Sequence, residues 1–201
     1  MNYFDFYNTM KKYPVFSIRE IEKHFPGFDT RRLVEWQQKS YLQKLRNRYY
    51  RFTDREVDES CLFFTANYIY NPSYVSLETA LNWYNFIPEG VFQIISSTTR
   101  KTGSFQTPIG NFRYRKVKSE LFFGYRLISW KQTNYAIAEP EKAIIDYLYF
   151  HTDINEIKAR RWNGKEIKEQ ISFEKLARYQ SYINSSSLDK RIKIFKECIN
   201  A

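Results

Sequence analysis

The stretch TRRLVEWQQKSYLQKLRNRYYRF, residues 30–52, decides the fold of the first part of the chain. Its first half places Leu33 and Trp36 on one side of a helix, because consecutive helical residues are 100° apart, and leaves a mostly basic side opposite them. Its second half alternates apolar and basic residues around the basic centre 46–48, which predicts a two-stranded hairpin with a basic tip. The stretch therefore predicts an anchored helix with an exposed polar face, followed by a basic hairpin.

Two further helices are predicted before this stretch. Apolar residues recur at a spacing of three within 2–12, and residues 17–20 (SIRE) form a capping-box pattern that starts a short helix. Pro26-Gly27 ends that helix, and Asp29 is the expected N-cap of the next one. Helix, helix, exposed-face helix and hairpin is the order of a winged helix-turn-helix, which we predict for residues 1–53.

A winged helix-turn-helix inserts its last helix into the major groove and lays the hairpin along the DNA backbone. The forked or paired polar groups that can read base edges are Arg31, Glu35 and Gln38, with Arg32 and Lys39 beside them. The hairpin residues expected near phosphates are Lys44, Arg46, Arg48 and the hydroxyl of Tyr49. Some winged helices bind protein instead, but the strong basic bias of this stretch favours double-stranded DNA.

Positive charge is concentrated in two segments of the 201-residue chain, whose formal net charge is +10. Residues 30–55 contain eight basic and two acidic residues, and residues 100–131 contain eight basic residues and one acidic residue. Between them lies an apolar, aromatic segment. The two segments are interpreted either as solvated charge that maintains solubility or as two contact surfaces for anionic partners.

Residues 54–201 are predicted to form a mixed α/β domain, so that the whole chain is α+β. A linker helix is expected over 54–70, an antiparallel-rich sheet over about 91–138, and helices after 139. Rings and cations alternate in 111–117, which predicts that one face of that strand is basic. The residues expected to form one positive, partner-binding sheet face are Arg100, Lys101, Arg113, Arg115 and Lys131.

Several classes of protein are disfavoured by composition. Only Cys61 and Cys198 are present, so we expect no disulfide framework and a reducing, cytoplasmic location. The sequence contains no recognisable secretion signal or membrane span. His24 and His151 have no Cys, Asp or Glu at ligand spacing, so neither a metal nor a cofactor is expected.

One enzymatic alternative rests on charged residues around the predicted helix start at Pro140. Glu139, Glu141, Lys142 and Asp146 could suggest the carboxylate set of a metal-dependent nuclease. Pro140 favours a helix start at this point, and acidic and lysine residues on a helix are usually surface ion pairs. The nuclease is therefore a remote alternative, and we expect no catalytic residues.

Several blocks of the chain resemble the AbiEi family, the antitoxins and transcriptional regulators of bacterial type IV toxin–antitoxin (abortive-infection) systems. The blocks are FSIREI (16–21), Trp36 and Leu42 with YYRF (49–52), PSYVSLETAL (72–81), IPE (87–89) and PEKAIID (140–146). They span roughly residues 14–150. The resemblance implies an N-terminal domain that represses its own operon by binding promoter repeats. It also implies a C-terminal domain that counteracts a nucleotidyltransferase-like toxin.

Three questions stay open at this stage. The C-terminal domain could capture the toxin directly through the basic face, or oppose its effect on a shared target, or the same basic face could instead extend the DNA footprint. The chain could act as a monomer or as a DNA-induced dimer. A plain DNA-binding repressor or adaptor, whose second domain senses a ligand or a protein, is the alternative to an antitoxin.

Overall fold

The computed structural model describes residues 2–90 and 92–200, and over these ranges the chain is α+β, as predicted. Its helices are α1 (Tyr3–Met10), α2 (Ile18–His24), α3 (Arg31–Gln38), α4 (Glu59–Ile69), α5 (Leu77–Trp83), α6 (Pro140–Phe150), α7 (Ile154–Ala159), α8 (Gly164–Gln170), α9 (Phe173–Ile183) and α10 (Ser186–Cys198). Its strands are β1 (Phe16–Ser17), β2 (Leu42–Arg46), β3 (Tyr49–Phe52), β4 (Ser73–Val75), β5 (Ile94–Thr98), β6 (Gly103–Thr107), β7 (Gly110–Lys116), β8 (Tyr125–Trp130) and β9 (Thr133–Ala138).

The first part of the chain has the predicted succession of three helices and a hairpin, with a small antiparallel sheet ordered β1-β3-β2. The capping box at the start of α2 is confirmed: the Ser17 hydroxyl accepts the Glu20 amide at 3.3 Å, and the Glu20 carboxylate accepts the Ser17 amide at 2.8 Å. The N-cap predicted for α3 is wrong by one residue. Thr30 holds that position, while Asp29 accepts the Arg31 amide at 3.0 Å, because its carboxylate reaches two residues along the chain.

An aromatic core holds these elements together. The Phe6 ring lies 4.6 Å from the ring of Trp36 and 5.8 Å from that of Phe16, so α1 contacts both α3 and the small sheet. The buried residues of this core are Phe6, Met10, Phe16, Ile21, Leu33, Trp36, Leu42, Tyr50 and Phe52. Val15, which precedes β1, and Leu45 of β2 are instead buried in the larger core, which the rest of the chain forms.

The second sheet has six strands in the order β6-β7-β5-β4-β9-β8. Three of its strand pairs are antiparallel (β6–β7, β5–β4 and β9–β8) and two are parallel (β7–β5 and β4–β9). The sheet is therefore mixed with an antiparallel majority, as the sequence predicted.

Helices cover both faces of this sheet. On one face, the Tyr114 hydroxyl donates to the Ala66 carbonyl of α4 at 2.7 Å, and Phe63 packs against Tyr135. On the other face, the Tyr74 hydroxyl donates to Asp146 of α6 at 2.8 Å. The last two helices extend this second layer, since Ser172 before α9 and Arg191 of α10 both hydrogen-bond to α6.

Three features differ from the sequence prediction. The linker helix begins at Glu59, because Asp58 caps it by accepting the Cys61 amide at 2.6 Å. Within the sheet predicted over about 91–138, the chain forms a 3₁₀ turn at Ser119–Leu121 and turns again at Gly124, whose φ is +70°, before β8 begins at Tyr125. Strands β1 and β4 and helices α7 and α8 were not predicted.

No helix within 2–90 and 92–200 has the length and apolarity needed to cross a bilayer.

Candidate nucleic-acid interface

The two sides of α3 have different roles. Leu33 and Trp36 are buried, and the Trp36 ring packs against Tyr3 and Phe6 of α1 at centroid distances of 5.4 and 4.6 Å. The exposed side carries Arg31, Glu35, Gln38 and Lys39, with Arg32 half-exposed beside them. The division of α3 into a buried and an exposed side, predicted from helical periodicity, is confirmed. Trp36 anchors the helix, and the polar side of α3 faces solvent.

Two ion pairs organise this polar side. Arg31 Nε lies 3.0 Å from Asp29 Oδ1, and this hydrogen bond lowers the pKa of Asp29 and raises that of Arg31. Lys39 Nζ lies 2.7 Å from Glu35 Oε1, which likewise lowers the pKa of Glu35 and raises that of Lys39. Solvent screens exposed pairs of this kind, so a phosphate or a base edge can replace Asp29 or Glu35 at little cost.

Arg32 and Gln38 differ from these paired residues. Within the described ranges, Arg32 makes no ion pair and Gln38 makes no side-chain hydrogen bond. Both side chains carry the paired donors or acceptors that match a base edge. Arg32 and Gln38 are therefore the residues of α3 that meet a partner without first breaking an internal contact.

The hairpin tip lies against the start of α2. A two-residue turn, Asn47-Arg48, joins β2 to β3, and Arg48 has a φ of 71°. The Arg48 carbonyl accepts the amide of Ile18 at 3.1 Å, while the Arg48 side chain is exposed, as is that of Lys44. A depression of about 470 Å³ between the tip and α2 is lined by Ser17, Arg19, Glu22, Arg48 and Tyr49.

The predicted position of Arg46 on an exposed wing is wrong, whereas half-buried Tyr49 lines the depression at the hairpin tip and its phosphate contact stays a prediction. Arg46 Nη1 donates to the Ile69 carbonyl at 2.7 Å, and its guanidinium lies 4.0 Å from the centre of the Phe105 ring. The Tyr49 ring packs edge-on against Tyr68 at 5.8 Å. The cause is an irregularity at Leu45, which shifts the register so that Arg46 pairs with Tyr49, on the side of the hairpin that faces α4 and β6.

Helix α2 adds two cations that the sequence analysis did not include. Arg19 and Lys23 are both exposed and lie four residues apart, which places them on one side of the helix. Arg19 also lines the depression that contains Arg48. The four-residue spacing within a helix already predicted from its capping box was the signal that could have identified them.

The five residues expected to form one basic sheet face do not form it. Arg113 and Arg115 lie on the α6 side of β7, and the Arg115 guanidinium lies 4.7 Å from the centre of the Phe150 ring. Burial and the charge of Arg113 lower the pKa of Arg115. Arg100 stacks at 4.4 Å on Tyr70, next to exposed Lys101, whose carbonyl accepts the Tyr70 hydroxyl.

Lys131, the fifth of these residues, lies in the β8–β9 turn at the opposite edge of the sheet from β7. Alternation along a strand and the position of each turn therefore separate residues that are close in sequence. The prediction of a single positive face is wrong, although Arg100, Lys101, Arg113 and Lys131 are each exposed.

The carboxylates of the nuclease alternative make structural contacts, and Lys175 lies within ion-pair distance of both Glu139 and Glu141. Glu139 accepts the Tyr179 hydroxyl and pairs with Lys175 at 3.1 Å, and Glu141 accepts the Ser172 amide at 2.8 Å. Asp146 points into the core. Over the described part of the chain, no three or more His, Cys, Asp or Glu side chains are grouped so that they could hold a metal ion.

A charged network lies between the large sheet and α6. The buried Lys142 ammonium pairs with Asp146 and donates to the Tyr74 hydroxyl at 2.8 Å. Asp146 Oδ2 accepts hydrogen bonds from the hydroxyls of Tyr74, Ser76 and Ser97 at 2.8, 2.7 and 3.2 Å. Burial and the charge of Asp146 raise the pKa of Tyr74 well above its ordinary value. The network links residues 72–81 to residues 140–146 through hydrogen bonds inside the core. Its two charged side chains, Lys142 and Asp146, are buried from solvent.

The Glu78–His151 pair links α5 to the end of α6. His151 Nε2 lies 3.0 Å from Glu78 Oε1, and Nδ1 lies 2.9 Å from the Tyr147 carbonyl. Burial lowers the pKa of His151, but the hydrogen bond and charge of Glu78, together with the Tyr147 carbonyl and the charge of Glu156, outweigh burial and leave the pKa above the ordinary 6.5. Burial raises the pKa of Glu78, but His151 reverses this and leaves it below 4.5. The pair is therefore ionic over a wide range of pH.

No model of a known protein family matches the chain, and no curated protein is significantly similar to it in sequence. The resemblance to the AbiEi family stays a prediction.

Proposed function

We propose that the chain is the antitoxin and transcriptional autoregulator of a type IV toxin–antitoxin system, acting in the cytoplasm. In this proposal residues 1–53 form a winged helix-turn-helix that binds promoter DNA. The remainder counteracts a nucleotidyltransferase-like toxin, directly or through a shared target. The observation that carries the DNA-binding part is the exposed polar side of α3, opposite the anchor made by Leu33 and Trp36.

The proposed DNA contacts fall into two classes, contacts to base edges and contacts to phosphates. In the major groove, Arg32 and Gln38 would meet base edges directly, and Arg31 would do so after exchanging Asp29 for a base. Arg19, Lys23, Lys44 and Arg48 would neutralise phosphates along the flanking backbone. Arg46 is assigned to the protein core, so the hairpin contributes two exposed cations to DNA binding. Repression would follow from occupancy of the promoter, which excludes the polymerase.

The DNA-binding part is tested by fluorescence anisotropy with duplexes from the region upstream of the gene and with shuffled duplexes of equal length. Gln38→Ala and Arg32→Ala are expected to cost about 1–3 kcal/mol each on the specific duplex and to relax the preference for it. Arg48→Ala is expected to weaken binding to both duplexes alike and to reduce the salt slope by about 1. Lys168→Ala, at an exposed position on α8, is the control.

If Gln38→Ala and Arg32→Ala bind both duplexes as tightly as the unchanged protein, α3 is not the recognition helix.

The antitoxin part is tested separately, by co-expression with a nucleotidyltransferase-like toxin encoded beside the gene. Rescue of growth by Gln38→Ala is expected, because the proposed antitoxin activity belongs to the second part of the chain. Failure of the unchanged protein to rescue growth would favour the plain repressor.

A further inference from the structure

A cleft of about 580 Å³ lies between α1 and the two-residue turn that joins β8 to β9. Its lining comes from both parts of the chain and consists of Tyr7, Asn8, Lys11, Lys12, Pro14, Arg55, Cys61, Lys131, Gln132 and Thr133. None of the α2, α3 or hairpin-tip residues assigned to DNA above lines it. The cleft is therefore a separate feature of the surface, at the junction of the two cores.

The lining contains four cations and no carboxylate. Within the described residues, Lys11, Lys12 and Lys131 have no Asp or Glu oxygen within 4.0 Å, whereas Arg55 lies 3.7 Å from Asp54. All three lysines are exposed. Lys11 and Lys12 directly follow α1, and Lys131 lies in the β8–β9 turn. Like charges collected at a concave surface reinforce one another and raise the local positive potential, which attracts an anion.

The three lysines are not needed to offset the partial negative charge at the C-terminal end of α1. The last carbonyls of a helix carry a partial negative charge that a cation can offset. Here Arg55 performs that role, since its Nη2 donates to the Lys11 carbonyl at 3.2 Å. The charges of the three lysines are left available to a ligand.

We propose that this cleft binds a phosphate-bearing ligand of nucleotide size. A lysine ammonium is a compact charge that suits phosphate, and the volume of the cleft is that of a small-molecule site. Exposed Gln132 at its rim carries an amide group that can hydrogen-bond to a base or a sugar, and the amide oxygen of Asn8 accepts Lys11 Nζ at 3.0 Å, which holds that ammonium at the cleft without neutralising its charge. Such a ligand would touch both α1 and the β8–β9 turn. The proposal does not depend on DNA binding by α3.

The test is titration calorimetry with the full-length chain after nucleic acid has been removed at high salt. The probes are inorganic pyrophosphate, ATP, GTP and a short 5′-phosphorylated single-stranded oligonucleotide, which separate free nucleotides from strand ends. We expect saturable 1:1 binding of at least one probe. The double variant Lys11→Gln/Lys131→Gln should weaken it about tenfold or more, which corresponds to about 1.4 kcal/mol or more.

The matched control is Lys165→Gln/Lys168→Gln, which removes the same charge from exposed positions on α8 and should leave binding unchanged. Melting curves establish that both double variants are folded. The proposal is overturned if no probe binds at about 1 mM, or if both double variants weaken binding equally. It is also overturned if only duplex DNA binds, because the cleft would then extend the DNA contact. Retained nucleotide binding in Gln38→Ala distinguishes this site from α3.

Discussion

At the scale of single residues, the most constrained position is Lys142. Its ammonium is fully buried and pairs with Asp146, which is also buried. Transferring two charges out of water costs several kcal/mol per ion, and only mutual attraction and complete hydrogen bonding offset that cost. Asp146 obtains this compensation from the hydroxyls of Tyr74, Ser76 and Ser97.

Replacing Lys142 by Met is therefore expected to destabilise the protein by about 3–5 kcal/mol, because it leaves the Asp146 carboxylate buried without its counterion. Urea unfolding followed by circular dichroism measures this loss. The double variant Lys142→Met/Asp146→Asn removes both charges and keeps an acceptor for the three hydroxyls, so we expect it to be more stable than Lys142→Met alone. A double variant less stable than either single variant would contradict this account of the pair.

The residues of the proposed DNA interface were predictable where a single helix determines their exposure. The 100° rotation per residue of α3 is sufficient to bury Leu33 and Trp36 and to expose Gln38. The same reasoning was wrong for Arg46, because strict alternation along a strand does not anticipate the register shift at Leu45. That shift depends on Ile69 and Phe105, which are distant in sequence.

At the scale of elements, the Glu78–His151 pair connects the first turn of α5 to the C-terminal end of α6. The raised pKa of His151 means that its stabilising contribution is complete below pH 6.5 and is lost as pH rises through the folded-state pKa. The lowered pKa of Glu78 gives the opposite dependence, with a contribution present above pH 4.5 and lost on acidification. The connection between the helices is therefore strongest between these two values.

We expect His151→Gln to lower the free energy of unfolding by about 1–2 kcal/mol at pH 6 and by less at pH 9, because the charge-assisted bond is lost only where the imidazole is protonated. The measurement is urea unfolding at a series of pH values. His24→Gln is the control, since His24 is exposed and, among the described residues, forms no ion pair; its ring nitrogen lies 2.9 Å from the Tyr13 hydroxyl. An equal loss at both pH values would show that His151 acts through packing and not through its charge.

A helix or strand was predictable from the sequence where the residues that determine it lie close together along the chain. The start of α2 depends on Ser17 and Glu20, three residues apart, and the start of α6 depends on Pro140 at its first position. Strand β4 has three residues, and its neighbours β5 and β9 come later in the chain, so no local pattern marks it. Helices α7 and α8 have six and seven residues and bury one residue each, Ile157 and Ile167, so they are too short to show a helical period.

At the scale of the whole molecule, the hairpin contributes to both cores. Tyr50 and Phe52 pack in the aromatic core around Trp36, whereas Leu45 is buried in the core of the six-stranded sheet. Arg46 adds its hydrogen bond to α4 and its contact with Phe105 of β6. The described residues thus form two hydrophobic cores that share the hairpin, so we expect the loss of either core to remove support from the other.

We therefore expect the full chain to unfold in one thermal transition, with equal calorimetric and van't Hoff enthalpies, because the shared hairpin couples the two cores. Leu45→Ala should cost about 2–5 kcal/mol, since it leaves a cavity at the junction, and should separate the melting of the aromatic core from that of the sheet. Val34→Ala, at an exposed position on α3, should stay within about 0.5 kcal/mol and retain the single transition. Two resolved transitions in the unchanged protein would mean that the hairpin contacts are too weak to couple the cores.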